Sequence, residues 1–263
     1  MISTLESSAP LKVARPFPRD DGGLDVCVMD ASPGLLCGDK YGFSWHLEAN
    51  TIAQITTQGF TRVHPARAGN SDSRLETQIY LEENATLLFL PDPILPFLGA
   101  RLRSEMHAKI AAGARLVLLE SLCAGRIARG EVWSFGAIRS RTLVEDERGP
   151  LFCAQQKIEP SASLSPPSPL SPRNFLAFGD WTHSAVLFFA GDFAPETESV
   201  SRETAARFCL LHSGENAISA AVSPLARRGF VVQMLARRGH EILELTRLLA
   251  NAVSRETTKT EER

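Results

Sequence analysis

Along much of the chain, hydrophobic and polar positions alternate rather than recurring every three or four residues. In Leu75-Glu76-Thr77-Gln78-Ile79-Tyr80-Leu81 the less polar residues take every second position, the period of a half-buried strand. Short runs rich in β-branched or aromatic residues and bounded by turn residues lie at 24–29, 43–47, 52–57, 75–81, 86–90, 116–122, 132–138, 185–190 and 230–235. They predict a mainly β protein. Helical spacing is clearest near the C-terminus, where Ile242, Leu245, Leu248, Leu249 and Ala252 share one side ahead of a polar tail at 254–263. A second helix is expected over 202–211.

An internal echo runs through Leu47-Glu48-Ala49-Asn50, Leu81-Glu82-Glu83-Asn84, Ile110-Ala111-Ala112-Gly113 and Gly214-Glu215-Asn216. Each places Asn or Gly, which tolerate positive φ, between apolar runs, as hairpins or corner turns require. Elongated, stacked antiparallel sheets with few helices follow as the expected architecture. The spacing is too irregular to predict a true solenoid. The segment 159–173 is rich in Pro and Ser and is read as a mobile loop. We expect a flexible segment over 1–20, a single β-rich domain over 21–253 carrying that loop, and the polar tail.

Composition narrows the function classes. The 263 residues are 44% hydrophobic and 22% charged, as in soluble globular proteins. With 28 Lys and Arg against 30 Asp and Glu the net charge is −2, so no global basic field exists to collect nucleic acid. No apolar stretch approaches the roughly 20 residues of a membrane-spanning helix. The first residues carry no secretory pattern, and a cytoplasmic location is expected. Five scattered cysteines without a C-x-x-C pair suggest neither a disulfide framework nor a structural zinc site.

Nucleotide-binding glycine loops, H-E-x-x-H and G-x-S-x-G are all missing, and the six histidines are dispersed without an i, i+4 pair. Three clusters remain. In Ser32-Pro33-Gly34-Leu35-Leu36-Cys37-Gly38-Asp39 small residues let backbone approach something to which Asp39 is a counter-charge, or Asp39 caps an ordinary turn. In Thr56-Thr57-Gln58-Gly59-Phe60-Thr61-Arg62-Val63, read as one strand, Thr57, Thr61 and their face form either an exposed surface or the polar wall of a water-filled passage. The prolines of Leu90-Pro91-Asp92-Pro93-Ile94-Leu95-Pro96 predict a rigid projecting loop. Downstream, Arg126 and Arg129 with Glu120 and Glu131 form an ion-pair network or hold a partner's carboxylate.

In this order the motifs S-P-G-L-L-x-G-D, T-T-Q-x-x-T-[KR]-V, L-P-D-P-I and G-R-x-A-R-G-E resemble those of the UreD (UreH) family of urease accessory proteins. The likeness runs from about Ser32 to Phe135, with a weaker stretch over 229–250. It implies a mainly β scaffold that is not an enzyme. The implied role is a chaperone joining UreF and the GTPase UreG to deliver nickel to the urease apoprotein. It implies no tightly bound cofactor, only nickel in transit. On that reading Asp39, Thr57, Gln58, Thr61 and Glu120 are candidates for a hydrated nickel path, because weak oxygen contacts pass a cation that converged imidazoles or thiolates would retain. Pro91, Asp92, Pro93, Arg126, Arg129 and Glu131 are candidates for partner interfaces. Two rivals are a β-rich hydrolase using Asp39, Asp92 or Glu120 as acid and base and an adaptor that never touches nickel.

Overall fold

The computed structural model describes residues 2–67, 72–160 and 178–261. From the 1–20 segment, β1 (Leu11–Val13) and β2 (Phe17–Pro18) pair antiparallel with β3 (Leu24–Asp30). The chain then circulates between two sheets. It crosses to β4 (Lys40–Leu47), and later circuits run through β5 (Ile52–Thr57), β6 (Thr61–Val63) and β7 (Ser73–Leu81), then β8 (Thr86–Leu90), β9 (Ile94–Pro96) and β10 (Arg101–Ile110). A fourth circuit supplies β11 (Arg115–Cys123) and β12 (Ala137–Asp146).

In the larger sheet β3, β5, β8 and β11 are consecutive and mutually parallel, and in the smaller sheet β4, β7, β10 and β12 are too. This corrects the expectation of antiparallel stacking throughout. Each strand reaches its neighbour by crossing the opposite sheet rather than by a hairpin, so successive circuits stack in the same direction, as in a solenoid. Direction reverses only afterwards. β13 (Gly149–Ile158) folds back on β12, β14 (His183–Gly191) pairs antiparallel with β11, and β15 (Ile218–Pro224) and β16 (Gly229–Ala236) finish the larger sheet.

The echo of turns explains the stacking. Asn50 and Asn84 both adopt φ 59° and Gly113 φ 70°. Their corners lie one above another, with Asn50 N–H donating to the Glu83 carbonyl at 2.9 Å, Asn84 N–H to Ala112 at 3.1 Å, and Asn84 Nδ2 to Asn50 Oδ1 at 3.2 Å. A Cβ on Gly113 would sit 2.0 Å from Asn84 Oδ1, so any larger residue at the third corner would displace the Asn84 amide from its place above Asn50. The fourth echo, at Gly214, is a separate 3-10 turn before β15.

Two helices follow β14 and β16. α1 (Pro195–Leu211) starts seven residues before the expected 202, with Pro195 at its first turn and Glu196 and Glu198 facing the positive end of its dipole. α2 (Gly239–Glu261) continues through most of the expected polar tail, since neither Gly nor Pro interrupts 240–261. Residues 132–136 are not a strand, whereas β10, β13 and β15 were not expected. In β10 the buried Leu102, Met106, Ala108 and Ile110 alternate with polar residues, but inward-facing Ser104 breaks the apolar period. Most of the Pro/Ser segment lies outside the described residues. No described helix is long and apolar enough to cross a membrane.

Three apolar clusters organise the interior. The outer face of the larger sheet, with Leu88, Val117, Leu119, Leu187 and Val232, is covered by Ala205 and Phe208 of α1 and by Ile242, Leu245 and Leu249 of α2. Between the sheets lie two separate cores. One, beneath the Asn corners, contains Ile55, Ile79, Leu81, Leu116 and Leu118. The other, at the opposite end, contains Leu35, Val63, Leu102, Leu122, Trp133 and Phe135.

Candidate functional site

The gap between those two inner cores is polar. Several strands that cross it place a polar residue between two inward apolar ones: Leu75-x-Thr77-x-Ile79, Leu102-x-Ser104-x-Met106, Leu118-x-Glu120-x-Leu122 and, with two polar positions, Ile138-x-Ser140-x-Thr142-x-Val144. Register aligns them. Ser104 lies beside Ser140, which faces Gln156, and Met106 lies between Thr77 and Thr142. The result is a cavity of about 430 Å³ whose lining includes Asp30, Tyr41, Thr77, Ser104, Glu120, Ser140, Gln156 and Gln233. A space this roomy with polar walls holds water, and two of its lining groups, Trp45 Nε1 and Ser121 Oγ, are buried without a protein partner.

Exposed lining residues occur at two ends. Gln58 and Phe60 lie beyond β5, whereas Ser219, Ala221 and Gln233 lie on β15 and β16. Four strand-to-strand steps separate β5 from β16, about 19 Å. Glu120 stands midway, on β11.

A break in the larger sheet also opens here. β11 pairs with β8 over Arg115–Leu118 and with β9 at Leu122, leaving Leu119, Glu120 and Ser121 without a strand on that side. Gln58–Phe60 and Pro91–Pro93 fill the break, and all three β11 residues border the cavity. The threonine-rich segment is thus two strands, β5 and β6, interrupted at Gly59 with φ 79°. Thr57, Gln58 and Thr61 all line the cavity, although a single strand would have turned Gln58 away.

Glu120 accepts a hydrogen bond from Thr142 Oγ1 at 2.5 Å. It touches the cavity on one side and is otherwise enclosed by protein, and burial pushes its carboxyl above the usual range while the Thr142 bond opposes the shift. Glu120 takes no part in the expected ion-pair network. Asp92 does not project outward. Its Oδ2 accepts from Gly59 N–H and its own N–H donates to Thr57 Oγ1, both at 2.8 Å. Burial raises the Asp92 carboxyl too, against the lowering effects of Gly59 N–H and Arg247 on α2. Pro91 shares the cavity wall.

Asp39 is elsewhere. Its Oδ2 accepts the Leu36 N–H at 2.9 Å, the capping role left open by the sequence, and it is not among the residues lining the cavity. The small-residue loop approaches its own chain: a Cβ on Gly34 would meet the Arg62 carbonyl at 2.4 Å. Arg126 forms a two-pronged ion pair with Glu131, at 2.8 and 2.5 Å, and its guanidinium lies 4.1 Å from the Phe97 ring centre. That pair holds the Glu131 carboxyl below its usual range. Arg129 is exposed at the end of a 3-10 turn.

Sequence reasoning missed Asp30, Tyr41, Thr142, Gln156 and Gln233. Tyr41 Oη shares hydrogen bonds with Ser32 Oγ at 2.8 Å and Asp30 Oδ2 at 3.2 Å, forming a polar group at the cavity wall. The available signal was a polar residue at the centre of an inward period-two pattern. It becomes visible only once the inward face is known.

The polar part of the lining offers hydroxyl, amide and carboxyl groups beside a larger apolar share from residues such as Phe43, Leu75, Phe89 and Ile138, and among the described residues it holds neither histidine nor cysteine. Such donors suit brief ligation of a divalent cation rather than retention.

Comparison with known proteins agrees across the chain. The model of the UreD urease accessory protein family matches residues 1–263. Urease accessory protein UreH of Helicobacter pylori is 25% identical over 250 residues, covering 95% of this chain and 88% of that protein. UreD of Deinococcus radiodurans is 32% identical over 194 residues, covering 73% and 67% respectively. These relatives are named as accessories of an enzyme rather than as enzymes. The whole-chain match, carried on a β-rich fold, means that the chain belongs to the UreD family of urease accessory proteins.

Proposed function

We propose that this chain serves urease maturation as a non-enzymatic chaperone, working in the cytoplasm with UreF and the GTPase UreG, and that nickel passes to the urease apoprotein through the cavity between its sheets. The observation that carries this reading is the row of polar groups in the cavity wall with Glu120 at its centre. Burial disfavours the charged form of this carboxyl, so it offers a divalent ion an oxygen foothold without holding it as tightly as a fully charged site would. Thr57, Gln58 and Thr61 extend the polar wall toward one end, and Gln156 and Gln233 toward the other. Asp39 has no place in this path. The Pro91–Pro93 loop belongs to the passage wall, which leaves the exposed Arg129 as the more accessible partner-interface candidate.

The hydrolase reading loses its paired acid and base. Asp39 caps a turn, Asp92 is held by Gly59 N–H, and Glu120 is held by Thr142. The decisive experiment measures nickel content and activity of urease from cells producing its subunits and the other accessory proteins, with and without this chain. Low nickel in assembled urease without the chain is expected. Unchanged loading overturns the proposal.

A further inference from the structure

On the opposite side of the larger sheet, where α1 ends and α2 begins, stands a second group of donors. His212, Glu241 and Glu244 each offer one ligand atom, and these atoms all lie within 4.8 Å of one another. None of them lines the cavity.

The imidazole of His212 is fixed by its surroundings. Its Nδ1 lies 2.8 Å from the Phe208 carbonyl, which can only accept, so Nδ1–H donates there and Nε2 is left facing Glu241. The ring also stacks on Phe208 with centroids 3.9 Å apart. A backbone carbonyl on one ring nitrogen is the usual orientation of a metal-binding histidine.

Nε2 faces Glu241 Oε2 at 3.3 Å. The Glu241 side chain is only 2% exposed, and this oxygen has no hydrogen-bond partner. Its other oxygen is occupied by His240 Nε2 at 2.9 Å. A buried carboxylate oxygen left without a hydrogen-bond partner is costly, and a cation at this point, whether a proton on Nε2 or a metal ion, relieves that cost. A tetrahedral ion with ligand bonds of about 2.0–2.1 Å has ligand-to-ligand edges of about 3.3–3.4 Å, the separation found here. Glu244, one helical turn beyond Glu241 and exposed, offers a third ligand oxygen within the same 4.8 Å.

We propose that His212, Glu241 and Glu244 form a binding site for a borderline first-row divalent cation of the zinc type, with water completing its coordination. Bound there, the ion ties the C-terminal end of α1 to the first turn of α2. One imidazole nitrogen and two carboxylates suit such an ion, and both helices supply ligands, so binding locks their relative position.

The test uses the purified full-length chain, stripped with a chelator and titrated with Zn2+ against a chromophoric competitor. Thermal unfolding is followed in parallel. The expected result is one Zn2+ per chain and a rise in Tm. Both His212→Gln and Glu244→Gln should weaken binding by at least about tenfold and remove the Tm rise. Glu120→Gln, in the cavity, should leave the Zn2+ affinity and the Zn2+-induced increment in Tm unchanged, whatever its own effect on Tm, which separates this site from the nickel path. Absence of stoichiometric binding, or wild-type affinity in either the His212 or the Glu244 variant, overturns the proposal.

Discussion

Leu119 and Glu120 are consecutive on β11 and both border the cavity, yet they belong to different layers. Leu119 is 1% exposed in the apolar layer beneath α1 and α2, and Glu120 stands at the polar waist between the two inner cores. The outer layer obeys the ordinary rule of burial, in which each apolar side chain removed from water adds to stability. The inner layer breaks that rule at its centre, where Thr77, Ser104, Glu120 and Ser140 occupy inward positions that Leu or Val would fill in a sandwich built for stability alone. Polar groups there weaken the core and require water or a passing ligand as partner, the mark of a site kept for use rather than for folding.

The largest effect expected from testing this contrast lies in the outer layer. Leu245→Ala, at a fully buried position of α2, should lower unfolding stability by about 3 kcal/mol in chemical denaturation, through lost burial and the void left behind. A loss under about 1 kcal/mol would mean that the helices pack loosely on the sheet.

The inner layer should respond in the opposite sense. Glu120 has a raised carboxyl pKa, so the folded state favours the neutral form; its contribution to stability is full below the unfolded pKa and is lost as pH rises through the folded one. Glu120→Gln should therefore stabilise the chain by about 1–2 kcal/mol near pH 7.5. The gain should fade toward pH 4, as unfolding curves across pH would record. A destabilisation at pH 7.5 would show that the buried carboxylate is stabilised by its surroundings.

At the Asn corners, Asn84→Ala should cost about 1–2 kcal/mol, from the left-handed backbone and the lost bond to Asn50. Asn84→Gly should cost less, since it relieves the backbone term, and equal losses would assign the whole effect to the hydrogen bond. Smallest of all, Asp39→Ala removes one exposed cap, about 0.5 kcal/mol. Urease nickel loading with this variant should match the wild type; a fall in loading would return Asp39 to the path.

These contrasts also show what a sequence can disclose. Strands β5 and β8 were legible to the residue because continuous β-branched and apolar runs end at turn residues. Strand direction was not. The same Asn and Gly corners serve a hairpin or a solenoid, and only the pairing of Asn84 with Asn50, 34 residues apart in the chain, decides between them. Of the residues that the family resemblance put forward for the path, Thr57, Gln58, Thr61 and Glu120 border the cavity, whereas Asp39 does not, because a capping carboxylate and a ligand carboxylate look alike in a loop. Thr142 and Gln156 escaped notice because a polar residue in a strand is ordinarily the wet one. The facing sheet makes their side of the strand the interior.

The central claim, that the polar waist is kept for nickel transfer at the expense of stability, is tested most directly by a paired measurement. Nickel per urease active site is determined in cells producing Glu120→Gln or Leu245→Ala in place of the wild-type chain, at a temperature where both variants are folded. The expected result is a more stable Glu120→Gln protein with poorly loaded urease, beside a less stable Leu245→Ala protein with normally loaded urease. Wild-type nickel content with Glu120→Gln would contradict the account.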